Sequence, residues 1–124
     1  MLPPASGLVN FEEKNFPIRI ASPERAILEC LFLAPDKFDL VECYQIMEGL
    51  TNLRPILMQE LLESCTSVKV KRLFLYMAEK AGHQWLSFIE QSKISLGKGD
   101  RSIVKGGVYV SKYRVSLPKE LAVF

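Results

Sequence analysis

The residues that could do chemistry are few and scattered. His83 is the sole histidine, so a Ser-His or Cys-His couple has one place to form, and His83 follows Gly82 at the expected end of a helix. There it reads as a capping or packing residue rather than a general base. Glu12-Glu13 and Glu60/Glu63 are carboxylate pairs, but an i, i+3 pair on a helix specifies no acid–base chemistry by itself and reads more simply as a solvated face. Gly97-Lys98-Gly99 is too short for a dinucleotide fingerprint and precedes a strand, so a flexible turn is the better reading. Neither HExxH, GxSxG nor GxxxxGK[ST] occurs. Cys30, Cys43 and Cys65 are odd in number, lack a CxxC pair and lie in helical patterns, which fits buried thiols and not a zinc site or a disulfide scaffold. No enzyme, no cofactor and no metal is expected.

Charge is more informative than catalysis. Residues 1–66 carry five Lys/Arg against ten Asp/Glu, a net −5. Residues 67–124 carry eleven against four, a net +7, giving +2 overall. If the halves stay apart in space, the basic one meets an anionic surface, either nucleic acid or an acidic protein; if they intermix, the asymmetry vanishes. Two basic groups are candidates for partner or DNA contact. Lys69, Lys71 and Arg72 stand in the first turns of a helix, where the dipole is already positive; they either invite an anion or form a solvated helix face. Lys98, Arg101, Lys105, Lys112 and Arg114 interleave with Tyr109 and Tyr113. Basic and aromatic residues on a sheet can bind nucleic acid. Tyr113, however, is in phase with Val115 and Leu117 and is expected to face the core.

The elements that must position these residues follow from periodicity and punctuation. The 124 residues, 48% hydrophobic, fit one globular domain able to bury a core without staples. No apolar run approaches the roughly 20 residues of a membrane span; residues 26–34 come closest and contain Glu29. No signal peptide opens the chain, so cytoplasmic location and no membrane partner are expected. Residues 1–15 read as an irregular entry, with Pro3 and Pro4. Phe16, Ile18 and Ile20 alternate as one face of a strand, placed at an edge by Pro17.

Ser22-Pro23-Glu24 starts a first helix with stripe Ala26, Ile27, Cys30, Leu31, Leu33. A second starts at Asp36 or Asp39 and closes at Gly49. A third starts near Thr51 or Asn52 with Leu53, Ile56, Leu57, Leu61 and Leu62 inward. Ser67 caps a fourth, whose face is Val70, Phe74, Met77, Ala78 and Ala81, ended by Gly82. Residues 83–91 read as a short fifth helix with Trp85, Phe88 and Ile89 inward. Beyond it, Ile103-Val104 and Val108-Tyr109-Val110 flank Lys105-Gly106-Gly107 as a hairpin. Tyr113, Val115 and Leu117 mark a strand ended by Pro118. The predicted architecture is α+β, with about five helices packed on one small mixed sheet formed by an N-terminal strand and two or three C-terminal strands.

Three stretches together carry a family resemblance: "FPIRIASPERAILECL" at 16–31, "VKVKRLFLYMAEKAGHQW" at 68–85 and "ISLGKGDRSIVKGGVYVSKYRVSLPKEL" at 94–121. In this order they resemble the C-terminal domain of AbiEi-family antitoxins of bacterial type IV toxin–antitoxin systems. The resemblance implies a non-enzymatic antitoxin domain over residues 16–121 whose functional partner is an AbiEii-type nucleotidyltransferase toxin. It also implies an operator-binding winged helix ahead of that domain, which this sequence lacks before Leu2; DNA is therefore expected as a partner only where a winged helix accompanies the domain. The alternative expectation is a nucleic-acid-binding regulator acting through the basic C-terminal half.

Overall fold

A computed structural model describes the backbone of residues 8–13 and 16–122 and the side chains of residues 22–122. Within these residues lie four α-helices, two 3-10 turns and two separate small sheets. The expected single sheet does not form. Strands β1 (Leu8–Glu13) and β2 (Phe16–Ala21) pair antiparallel with each other alone. β1 occupies part of the segment expected to be an irregular entry; Pro3 and Pro4, and the expected inward face of Phe16, Ile18 and Ile20, lie outside the described residues.

Helix α1 (Pro23–Leu33) starts as its sequence dictates. The Ser22 hydroxyl accepts from the Arg25 N–H at 3.2 Å, and Pro23 takes the first turn, where its missing N–H is no loss. Glu24 does more than complement the dipole. Its carboxylate is only 2% exposed and accepts from the Arg54 main-chain N–H at 2.8 Å and from Arg54 Nη2 at 3.1 Å, tying the start of α1 to the start of α3. Helix α2 (Leu40–Gly49) is capped by Asp39 and buries Leu40, Cys43 and Met47. Helix α3 (Pro55–Ser64) begins later than expected: proline disfavours helical geometry in the residue before it, so Arg54 stays extended and Thr51-Asn52 form a turn. It buries Met58, Leu61 and Leu62, while Ile56, expected inward, is 80% exposed.

Helix α4 (Val68–Ala81) is the axis of the domain. Ser67 caps it and Gly82, at φ 72°, closes it in the left-handed conformation that glycine adopts freely. Residues 70–78 are buried on every side, wrapped by α1, α2 and the C-terminal segment. The expected fifth helix is instead two 3-10 turns, Gln84–Phe88 and Gln91–Lys93. Trp85 and Ile89 are buried but Phe88 is 72% exposed. A 3-10 turn repeats every three residues and not every 3.6, which rotates Phe88 off the face that a helix would give it. Trp85 stacks on Phe74 and on His83, and its Nε1–H donates to the Leu50 carbonyl at 2.8 Å. His83 Nε2–H donates to the Met47 carbonyl at 2.5 Å. Both rings therefore tie the 83–85 segment to the end of α2, Trp85 through the Leu50 carbonyl and His83 as a second donor to the Met47 carbonyl, which also accepts from the Leu50 N–H.

The C-terminal sheet has the order β3 (Arg101–Ser102), β5 (Val115–Leu117), β4 (Val108–Val110). β5 is central, parallel to β3 and antiparallel to β4. The turn at Lys105-Gly106 exists, but the segments it joins do not pair; β5 inserts between them. Tyr113, Val115 and Leu117 are buried, as their alternation predicted. Gly107 is required by proximity: a Cβ there would lie 2.6 Å from the Leu117 carbonyl oxygen.

Candidate functional site

The eight candidate cations fall into two structural kinds. The three on α4 do not form a surface. Lys69 is half-buried, and its Nζ donates to the carbonyls of Phe32 at 2.8 Å and Ala34 at 2.6 Å. It thus serves the negative end of α1, which has no cation in its own last turn. Burial pushes its pKa down, against the pull of Asp36. Lys71 is buried.

Arg72 is 2% exposed, and its guanidinium meets main-chain carbonyls alone. Nε and Nη2 both donate to Leu96 O, at 2.9 and 2.7 Å. Nη1 donates to Gly99 O at 2.8 Å and to Arg114 O at 3.2 Å. Burial pushes the Arg72 pKa down, and the nearby charges of Arg101 and Arg114 push the same way. A surface-contact role for Lys71 and Arg72 is therefore corrected: both belong to the interior, and Lys69 is committed to α1. An apolar stretch on all sides of a helix marks an enclosed helix, and Leu73, Leu75 and Tyr76, off the expected face, carried that signal.

The second group stays outside. Lys98, Arg101, Lys105, Lys112 and Arg114 are all exposed, on the loop before β3, on the turns between strands and on β3 itself. Two carboxylates stand beside them, each with an assigned partner. Asp100 accepts from the exposed Tyr109 hydroxyl at 2.8 Å. Glu79 accepts from Lys112 Nζ at 2.6 Å and from the Tyr113 hydroxyl at 2.8 Å. Burial pushes the Glu79 carboxyl up, but the Lys112 and Tyr113 hydrogen bonds and the Lys112 charge outweigh it and hold it below the usual carboxylate range.

Two concavities among the described residues are relevant. A polar cleft of about 200 Å³ is lined by Arg72, Leu96, Gly97, Lys112, Tyr113 and Arg114. A larger apolar groove of about 570 Å³ runs between α3 and the 3-10 turns, with the exposed side chains of Ile56 and Phe88 in its walls. Those walls are braced by Gln59, whose amide donates to Glu90 O at 3.2 Å and accepts from Glu90 N at 2.7 Å. Sequence periodicity missed the groove because it placed both apolar residues inward. Among the described residues, no three His, Cys, Asp or Glu side chains converge as a metal-ligand set, and no helix is long and apolar enough to cross a membrane. Cys30 and Cys43 place their sulfurs 3.1 Å apart between α1 and α2, both as free thiols.

The class defined by this architecture is an α+β domain whose helical core carries a small sheet with exposed cations on its strands, turns and flanking loop. The comparison with protein families is consistent and specific: a family model described as a transcriptional regulator, AbiEi antitoxin of the type IV toxin–antitoxin system, matches residues 3–118. The chain belongs to the AbiEi antitoxin family. No curated protein and no solved structure matches it.

Proposed function

We propose that this chain is the antitoxin domain that neutralises a cognate nucleotidyltransferase toxin, that it does so without catalysis of its own, and that the exposed rim of Lys98, Arg101, Lys105, Lys112 and Arg114 is its working surface. Family membership over residues 3–118 is the observation that carries the antitoxin reading. The placement of the cations supports the surface: of the eight basic candidates these five are exposed, Lys112 among them as the partner of Glu79, while α4 consumes the other three internally. Clustered cations on one rim raise the local concentration of an anionic partner and speed its encounter.

A growth rescue assay tests both parts. The chain is co-expressed with the nucleotidyltransferase encoded beside it, as wild type and as the charge-reversed Lys98→Glu/Arg101→Glu/Lys105→Glu variant. Rescue by wild type and its loss in the variant is the expected result. Failure of the wild-type chain sinks the antitoxin reading. Full rescue by the folded variant sinks the surface but spares the reading. Reversal at Lys71 or Arg72 is unsuitable, because it would test folding.

A further inference from the structure

We infer that the cleft between α4 and the turn at residues 111–114 binds a phosphoryl group. Arg72 supplies the floor. A guanidinium so fully removed from water is normally matched by a carboxylate, yet all four of its hydrogen bonds end on neutral carbonyls. A guanidinium has five N–H donors, so one Nη2 hydrogen is left over. Two further cations, Lys112 and Arg114, line the same cleft, and no carboxylate does. The nearest acids are already held, Glu79 by Lys112 and Tyr113, and Asp100 by Tyr109.

Lys112 is balanced by Glu79 and Asp100 offsets part of the arginine charge, but Arg72, Arg101 and Arg114 still outnumber the one remaining acid, so the balance around the cleft is positive and an entering dianion would relieve repulsion among the three arginines. Size sets the ligand class. At about 200 Å³ the cleft is smaller than the ~300 Å³ at which pockets for whole drug-sized molecules begin. It matches the size of a tetrahedral oxyanion. Backbone geometry fits that use as well. Gly97 at φ 69° bends the 96–99 loop around the cleft, and Arg114 at φ 53° holds a left-handed conformation uncommon outside glycine. The natural source of such a group is a nucleotide or a nucleic-acid strand, reached through the phosphate alone.

This inference stands apart from toxin neutralisation, because binding is measured with the purified chain and no toxin. Inorganic phosphate and pyrophosphate are titrated by calorimetry and thermal shift against sodium chloride of equal ionic strength. The variants are Arg114→Asn, which tolerates the left-handed backbone, and Lys112→Gln, with circular dichroism confirming that both fold. Phosphate-specific stabilisation of the wild type is expected, with affinity about tenfold weaker in each variant, the size of one lost charge-assisted hydrogen bond. Two oligonucleotides, alike except for a 5′-phosphate or a 5′-hydroxyl, separate the sources. Tighter binding of the phosphorylated one assigns the cleft to a phosphomonoester end, and equal, variant-sensitive binding assigns it to backbone phosphodiesters. Stabilisation no greater than that by chloride, or phosphate affinity in both variants equal to that of the wild type, overturns the inference.

Discussion

Replacing Arg72 with Met should loosen the C-terminal third of the domain more than any exposed-charge change. The methionine fills much of the same volume but leaves the carbonyls of Leu96, Gly99 and Arg114 without the four hydrogen bonds that they now receive. Arg114 O keeps its bond from the Arg101 N–H, so two acceptors, Leu96 O and Gly99 O, are stranded, and at about 1–3 kcal/mol each they set a gross loss of several kcal/mol. Removing a buried cation that lacks a counter-carboxylate returns part of it. The net destabilisation is about 3 kcal/mol, a large share of the roughly 5–15 kcal/mol by which such domains are stable. At a urea slope of about 2 kcal/mol/M this lowers the unfolding midpoint by about 1.5 M. Arg72→Lys should recover little, because an ammonium cannot span the two sides of the site as a planar fork does. Amide exchange localises the effect: the Arg101 N–H, bonded to Arg114 O, and the Ile103 N–H, bonded to Ser116 O, should lose protection before α1 or α2 does. An unchanged midpoint together with unchanged exchange over residues 96–116 would refute the account of Arg72 as the tie between α4 and the C-terminal segment.

Three further outcomes are expected. Gly107→Ala drives a methyl group against the Leu117 carbonyl and Val104, and because main chain cannot move aside cheaply it should cost about 1–3 kcal/mol, read as a lower urea midpoint; a variant as stable as wild type would refute the close approach of residue 107 to β5. For Glu24, burial pushes the carboxyl up, but the Arg54 hydrogen bonds and charge outweigh it and hold it below the usual carboxylate range. A folded-state pKa below the unfolded value contributes stability above the unfolded value and loses it as pH falls through the folded one. Thermal melts should therefore decline below about pH 4.5, and the decline should be shallower in Glu24→Gln; parallel acid limbs would contradict this. Among the cysteines, burial pushes the Cys43 thiol up to about 12, helped by its hydrogen bond with Cys30, and burial raises Cys65 as well. Iodoacetamide should then label Cys30, which is only half-buried, in the native protein and all three thiols in denaturant. Native labelling of Cys65 at the same rate would argue against the packing around it.

The start of α1 and both ends of α4 were legible because their signals are local, whereas the start of α3 was set by Pro55 and read too early. Ser22-Pro23, Ser67 and Gly82 each act within a turn of themselves, and each lies where expected. Strand partners were not legible. Nothing near Phe16–Ala21 states that its neighbour is Leu8–Glu13, and nothing near Lys105-Gly106-Gly107 states that β5 will enter between the flanking segments. The two apolar side chains of the groove were misread for different reasons: Ile56 sits in the first turn of a helix that starts later than its stripe suggested, and Phe88 follows a three-residue repeat. For the candidate site, charge alone located the exposed rim, but could not tell Arg72, which satisfies carbonyls, from Arg114, which meets solvent. Both are basic residues in the same half of the chain; only the neighbours brought in from residues 94–114 separate them.

Lys69, Arg72, Tyr76 and Glu79 recur at helical spacing along α4 and reach, in turn, the end of α1, the 96–114 loops, the Leu121 carbonyl and the 112–113 turn. They act as an index. The last quarter of the chain has short strands and little interior of its own, so it takes its register from a helix folded well before it in sequence. A slip of one residue in that segment would misplace its partners for Arg72, Tyr76 and Glu79 together. The segment that carries the exposed cations is thus held in place by α4 more than by its own short strands, so whatever disturbs α4 displaces those cations with it.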